Sequence, residues 1–148
     1  MNSQLSIFNK RKILLYYNNR VTQDDAVAHW RQRSRSELKA ARIFFGKKES
    51  DVYWEVLFHC HLAIELALKA EYIREKDRAA PFTHDLGELA EDLKIEWTAD
   101  EQESLDEITD FGALSRYGDE NWFASNATKS NAEQCLEKAT QFLSKLLP

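Results

Sequence analysis

Three side chains with different chemistry share one helical stripe: His61, Glu65 and Lys69 stand at i, i+4 and i+8, flanked by Trp54, Phe58 and Tyr72. The residues between them, from Val56 to Ala70, are apolar apart from His59, so the stripe lies on a helix with no evident solvent face. An imidazole, a carboxylate and an ammonium buried together require partners. His61 and Glu65 have the spacing of two metal ligands, but a third is missing, and neither a metal nor a cofactor is expected. A second concentration of chemistry, Arg116, Tyr117, Trp122 and Phe123, falls between Ser115 and Ser130, among turn-forming residues. Aromatic side chains in such a segment act as anchors or as binders. No Gly-x-Ser-x-Gly, Ser-x-x-Lys or phosphate-cradling glycine loop occurs, which argues against covalent catalysis.

The elements that position these groups follow from composition and periodicity. The chain has 148 residues, 43% of them hydrophobic and 11% aromatic, with only four Gly and two Pro, as expected of one domain built from long helices. No apolar run reaches the roughly 18 to 20 residues needed to span a bilayer. The apolar stretch after Lys10-Arg11-Lys12 is too short for a signal peptide, and a cytoplasmic location is expected. Cys60 and Cys135 form no disulfide framework and read as reduced packing residues. The net charge of −5 is uneven, +6 over residues 1 to 42 and −11 over the rest, with acidity peaking from Glu91 to Asp110. The basic first third suits either a phosphate-binding patch or a solvated helix face.

Taken in order, residues 1–22 form an N-terminal arm whose Ile13 to Tyr17 are apolar enough to dock on the domain or on a partner. Residues 23–148 form the helical domain. A first helix starts near Thr22 to Asp25, turns Val27, Trp30, Ser34, Leu38, Ala41 and Phe45 inward, and sets Arg31, Arg35, Lys39 and Arg42 facing away. Gly46 stops it, and Ser50 or Asp51 is placed to cap the central helix, which runs to about Lys76. Thr83 is the expected N-cap of a shorter helix through Leu86, Leu89, Ala90 and Leu93. His84 there serves to lock the loop or to bind a ligand. Thr98 and Glu101 fit a capping box for a helix through Leu105, Ile108 and Leu114, and a last helix runs from about Ser130 to Leu146. The expected fold is all-α: an up-and-down bundle of four main helices plus a short one, with no strands or repeats.

Trp30, the run Phe58-His59-Cys60-His61-Leu62-Ala63-Ile64-Glu65-Leu66-Ala67-Leu68-Lys69-Ala70, Thr83-His84-Asp85-Leu86 and Ser115-Arg116-Tyr117, in that order and spacing, resemble the HEPN domain over about residues 24–148. The resemblance implies a helical bundle, frequently a homodimer, associated with nucleotide or RNA binding. It also implies a possible partner, a minimal nucleotidyltransferase encoded alongside in a toxin–antitoxin pair. His61, Glu65 and Lys69 align with positions that resemble the family's Gln, Glu and Lys, while Leu62 and Leu66 replace positions often polar there.

Ribonuclease members of that family carry an Arg followed after four to six residues by a His, extended in some to Arg-x4-His-x-Tyr. Here the register is Arg116-Tyr117-Gly118-Asp119-Glu120-Asn121-Trp122-Phe123, with Asn in the His position and Phe in the Tyr position. RNA cleavage without a metal needs groups that move protons, and Asn does not titrate. The ordinary ribonuclease chemistry is therefore absent unless His59, His61 or His84 reaches the site. What remains is binding chemistry: Arg116 for a phosphate, Tyr117 and Trp122 for a base, and Asp119 to accept from a base edge or to hold Arg116. Arg116 pairing with Glu65 or Asp119 is the structural alternative. Three functions follow, in order of preference: a nucleotide- or RNA-binding protein without ordinary nuclease activity, a protein-interaction module, and an active ribonuclease toxin.

Overall fold

A computed structural model describes residues 21–148; most of the expected N-terminal arm, residues 1–20, lies outside the described residues. The first helix, α1 (Gln23–Gly46), opens on a capping box in which Thr22 Oγ1 accepts from the Asp25 amide at 3.1 Å and Asp25 Oδ2 accepts from the Thr22 amide at 3.0 Å. Asp24 and Asp25 place negative charge at the positive end of the helix. The chain leaves α1 through Lys48, whose φ of 56° reverses its direction.

Neither Ser50 nor Asp51 caps the central helix. They form a 3-10 turn, Ser50–Val52, and Val52, which has no side chain able to accept a hydrogen bond, occupies the N-cap of α2 (Tyr53–Lys76). Because α2 is apolar on all sides, it is sheathed by α1, α4 (Ala99–Tyr117) and α6 (Lys129–Leu146). Val56, Leu57, Cys60, Ala63, Ile64, Ala67 and Leu68 are fully enclosed. The Ser34 hydroxyl, also buried, ties α1 to α2 by donating to the Ala63 carbonyl at 2.7 Å.

Two short helices complete the bundle. The shorter, α3 (Leu86–Glu91), is capped by Asp85, which accepts from the Glu88 amide at 3.0 Å; the expected cap, Thr83, instead accepts from the Asp85 amide at 3.1 Å. The other, α5 (Glu120–Asn126), occupies what reads in sequence as a loop. Asp119 caps it and Trp122 fixes it by packing edge-on against Phe111. The described residues thus form an all-α bundle of four main helices with two short ones rather than one.

Smaller departures have local causes. Leu114 points outward and is 38% exposed, because α4 turns its Phe111 and Ser115 to the core instead. Trp30 and Phe45 are only half-buried. Arg31 does not face away: its guanidinium lies 3.7 Å from Glu71 of α2. Arg35 donates to the Pro148 carbonyl and Arg42 to Thr140, each at 3.3 Å, so the basic stripe of α1 clasps the C-terminal part of the bundle.

Candidate functional site

The polar stripe of α2 meets its partners on the loop before α3. Glu65, 3% exposed, accepts from Lys69 Nζ at 2.8 Å and from His84 Nδ1, which lies 3.1 Å from both carboxylate oxygens. His61, equally buried, has Nε2 2.9 Å from the His84 carbonyl oxygen. A carbonyl only accepts, so Nε2 carries the proton. In the neutral ring Nδ1 then presents a lone pair toward Glu65, and two acceptors cannot bond, which accounts for their 3.8 Å separation. Burial is the main force lowering the His61 pKa below its ordinary value; electrostatic interaction with His84 and Arg116 lowers it further, while the bond to the His84 carbonyl and the Glu65 carboxylate oppose them. His84 therefore does lock its loop, through both backbone and side chain. Its side chain is nevertheless 66% exposed, and Nε2 has no partner among the described residues.

Arg116 is positioned by the last turn of α4. Its Nε donates to the Gly112 carbonyl at 3.4 Å, and its guanidinium lies over the rings of Phe58 and Tyr117, 5.2 and 5.4 Å from their centroids. It pairs with neither carboxylate that sequence offered. Glu65 is taken by Lys69 and His84, and Asp119 Oδ1 accepts from the Trp122 amide at 2.8 Å as the cap of α5. Among the described residues, Arg116 has no carboxylate partner. Tyr117 is 80% exposed. Trp122 is held edge-on by Phe111 and Phe123, an anchor rather than an open stacking face, and Asn121 is exposed on α5.

Arg116 forms part of the wall of a groove of about 840 Å³ between the start of α2 and the junction of α4, α5 and α6. Asp51, Trp54, Phe123, Thr128 and Lys129 line it as well. Lys129 stands in the first turn of α6, where unpaired amides add to its charge. Sequence had flagged Trp54 only as a neighbour of the stripe, and Asp51 and Lys129 not as site residues at all. Tyr117, Asp119, Asn121 and Trp122 do not line this groove, and His61, Glu65 and Lys69 lie farther along α2. His61 joins the two regions, with one edge bonded to the His84 carbonyl and its ring against Gly112, whose carbonyl receives Arg116. His59 belongs to neither: it bridges Glu37 and Glu55 on the α1 side and stacks on Phe44. Among the described residues no group of three or more His, Cys, Asp or Glu is placed to hold a metal ion, and no helix is long and apolar enough to cross a membrane.

Comparison with known proteins accords with this architecture. The protein TT1696 from Thermus thermophilus, known from its crystal structure, superimposes with a TM-score of 0.71 at 22% identity, over 81% of this chain and 94% of its own, a likeness of fold. No curated protein matches. The family model of the HEPN domain matches residues 27–147, nearly the whole described bundle, and the chain belongs to the HEPN domain family.

Proposed function

We propose that the chain binds a nucleotide or RNA in the groove beside Arg116. The observation that carries this reading is the state of that guanidinium: it is held over two aromatic rings, has no carboxylate partner among the described residues, and lines a groove that also contains Lys129. A phosphate takes the planar fork of Arg116 and the ammonium of Lys129, while Trp54, on the groove wall, offers a face to a base. The ordinary HEPN ribonuclease step has no support here, because Asn121 occupies the register of the titrating His. The protein in this reading is cytoplasmic.

Anisotropy titration with labelled ATP and with a labelled single-stranded oligoribonucleotide tests the site. Arg116→Ala is expected to weaken binding at least about tenfold, roughly 1.4 kcal/mol. Lys129→Ala is expected to reduce the salt dependence of RNA binding by about one counterion. Arg35→Ala, which does not line the groove, serves as the control. Unchanged affinity in both site variants overturns the assignment.

A second reading is favoured by exposed apolar surface: Leu114 and Tyr117 lie one turn apart on α4, 38% and 80% exposed. That face suits a homodimer, or docking of a minimal nucleotidyltransferase in a toxin–antitoxin-like pair. Light scattering of the purified chain decides the first case: a monomer at all concentrations, unaltered by Leu114→Glu, removes it.

A further inference from the structure

We propose that the groove beside Arg116 selects a guanine base, read by the carboxylate of Asp51, so that its ligand is a guanine nucleotide, free or within single-stranded RNA. This rests on the binding reading above and names the base which that reading leaves open. Asp51 and Trp54 stand at i and i+3 where the Ser50–Val52 turn runs into α2, which brings both side chains to one side of the chain, and both line the groove. The Asp51 carboxylate is exposed and makes no hydrogen bond or ion pair among the described residues. The half-buried Trp54 meets no other ring among them, and its indole N–H has no acceptor there. A stacking face and an uncommitted carboxylate therefore lie side by side on the wall.

The groove also carries opposite charges that do not neutralise one another. Arg116 and Lys129 line it, and neither pairs with Asp51. A ligand that satisfies both signs needs an anionic end and a group of hydrogen-bond donors. The alternative readers of a base edge are committed elsewhere: Asp119 accepts from the Trp122 amide at 2.8 Å as the cap of α5, and Thr128 Oγ1 accepts from the Asn131 amide at 3.2 Å as the cap of α6. Phe123 is already engaged edge-on with Trp122, which leaves Trp54 as the open face. A volume of about 840 Å³ falls within the roughly 300 to 1,000 Å³ of small-molecule sites.

Hydrogen-bond chemistry decides which base this pair takes. An ionised carboxylate only accepts, through two oxygens, so it matches an edge with two adjacent donors. Guanine has that edge in N1–H and the N2 amino group. Adenine and cytosine set a ring-nitrogen lone pair beside their single amino group, and uracil flanks its N3–H with two carbonyls, so each of these turns an acceptor toward Asp51 and is repelled. An arginine side chain also offers two donors, but its charge meets Arg116 and Lys129, whereas the phosphates of a guanine nucleotide are drawn to them.

The test is calorimetric titration of the full chain with GTP, ITP, ATP and XTP, repeated on Asp51→Asn. Wild type is expected to bind GTP at least about tenfold more tightly than ATP, with ITP, which lacks the N2 amino group, between them. Asp51→Asn presents one acceptor and one donor. It is expected to lose the preference for GTP and to bind XTP about tenfold more tightly than wild type does, because xanthine carries a carbonyl where guanine carries the amino group. Asp51 is exposed and unpartnered, so the variant is expected to keep the wild-type Tm. A single-stranded oligoribonucleotide with one guanosine, compared with adenosine at that position, distinguishes the sources: a preference for guanosine shows the base read in RNA, and equal binding of the two strands beside a GTP preference confines the ligand to the free nucleotide. GTP and ATP that bind equally, with Arg116→Ala weakening both, overturn the base assignment and leave the binding reading standing. A GTP preference that survives Asp51→Asn, or one lost without a gain for XTP, also overturns it. Failure of every nucleotide and of RNA to bind overturns both readings.

Discussion

The imidazole of His61 packs directly on the backbone of Gly112: a Cβ added there falls 2.3 Å from His61 Cγ, 2.5 Å from Cδ2 and 2.6 Å from Nδ1. This contact lets α4 approach α2 closely enough for Arg116, one turn on, to reach over Phe58. Residue 112 is glycine for steric reasons, since no glycine here has a positive φ.

Gly112→Ala consequently has to push the ring aside and strain its bond to the His84 carbonyl. We expect a loss on the order of 2 kcal/mol, roughly a 5 °C drop in Tm, measurable by urea and thermal unfolding. The control is Gly46→Ala at the end of α1, where an added Cβ meets nothing within 4 Å and the expected change is neutral to about 0.5 kcal/mol stabilising. Equal effects at the two positions rule out the proposed packing.

His61 also makes stability depend on pH. In the unfolded chain it binds a proton at its ordinary value of 6.5, and in the fold only at lower pH, chiefly because it is buried. The unfolded state therefore holds more protons over that interval, so stability rises with pH there. The contribution is complete above 6.5 and is lost as pH falls from 6.5 through the lowered folded value. His61→Gln keeps an N–H for the His84 carbonyl but does not titrate. The difference in unfolding free energy between wild type and this variant is expected to change across that window and to be flat above it.

Much of this architecture is legible in sequence because it is locally encoded. Thr98 and Glu101 signal a capping box that forms as read, and the all-round apolarity of Val56 to Ala70 identifies the central helix. The segment Ser115 to Ser130 reads as a loop rich in turn formers, and α5 is missed, because seven residues give little periodicity and Trp122 holds them through a tertiary contact with Phe111. Asp85 takes the cap from Thr83 two residues earlier, a difference decided by where Leu86 enters the core. The site is legible by halves. The helical stripe shows that Glu65 needs a partner, yet nothing in the spacing identifies His84, 19 residues away, as that partner. Asp51 and Lys129 reach the groove only through the packing of α2 against α6.

Removing the Glu65 carboxylate should expose how closely the buried charges depend on each other. Glu65→Ala leaves Lys69, 14% exposed, without its partner at 2.8 Å, and a loss of about 3 kcal/mol is expected. Combining Glu65→Leu with Lys69→Met removes both charges and restores apolar packing, so it is expected to recover most of that loss. Denaturant titration of single and double variants measures it. A double variant as unstable as Glu65→Ala would show that the pair is not what holds this region together.

Gly118 gives a way to disturb the groove while leaving most of the enclosed core in place. It follows α4 directly, and an added Cβ falls 2.6 Å from the Leu114 carbonyl oxygen and 2.9 Å from Trp122 Cε3. The backbone oxygen cannot rotate away, so the turn itself has to open and α5 must move with Trp122. That turn joins Arg116 to the α5 wall carrying Phe123, whereas most of the enclosed core lies on α2 and its neighbours. Gly118→Ala is therefore expected to weaken nucleotide and RNA binding by about tenfold or more while costing only about 1 kcal/mol of stability. Parallel anisotropy and urea unfolding measure the two effects. Binding that survives intact in a destabilised Gly118→Ala would place the ligand away from the α4–α5 junction.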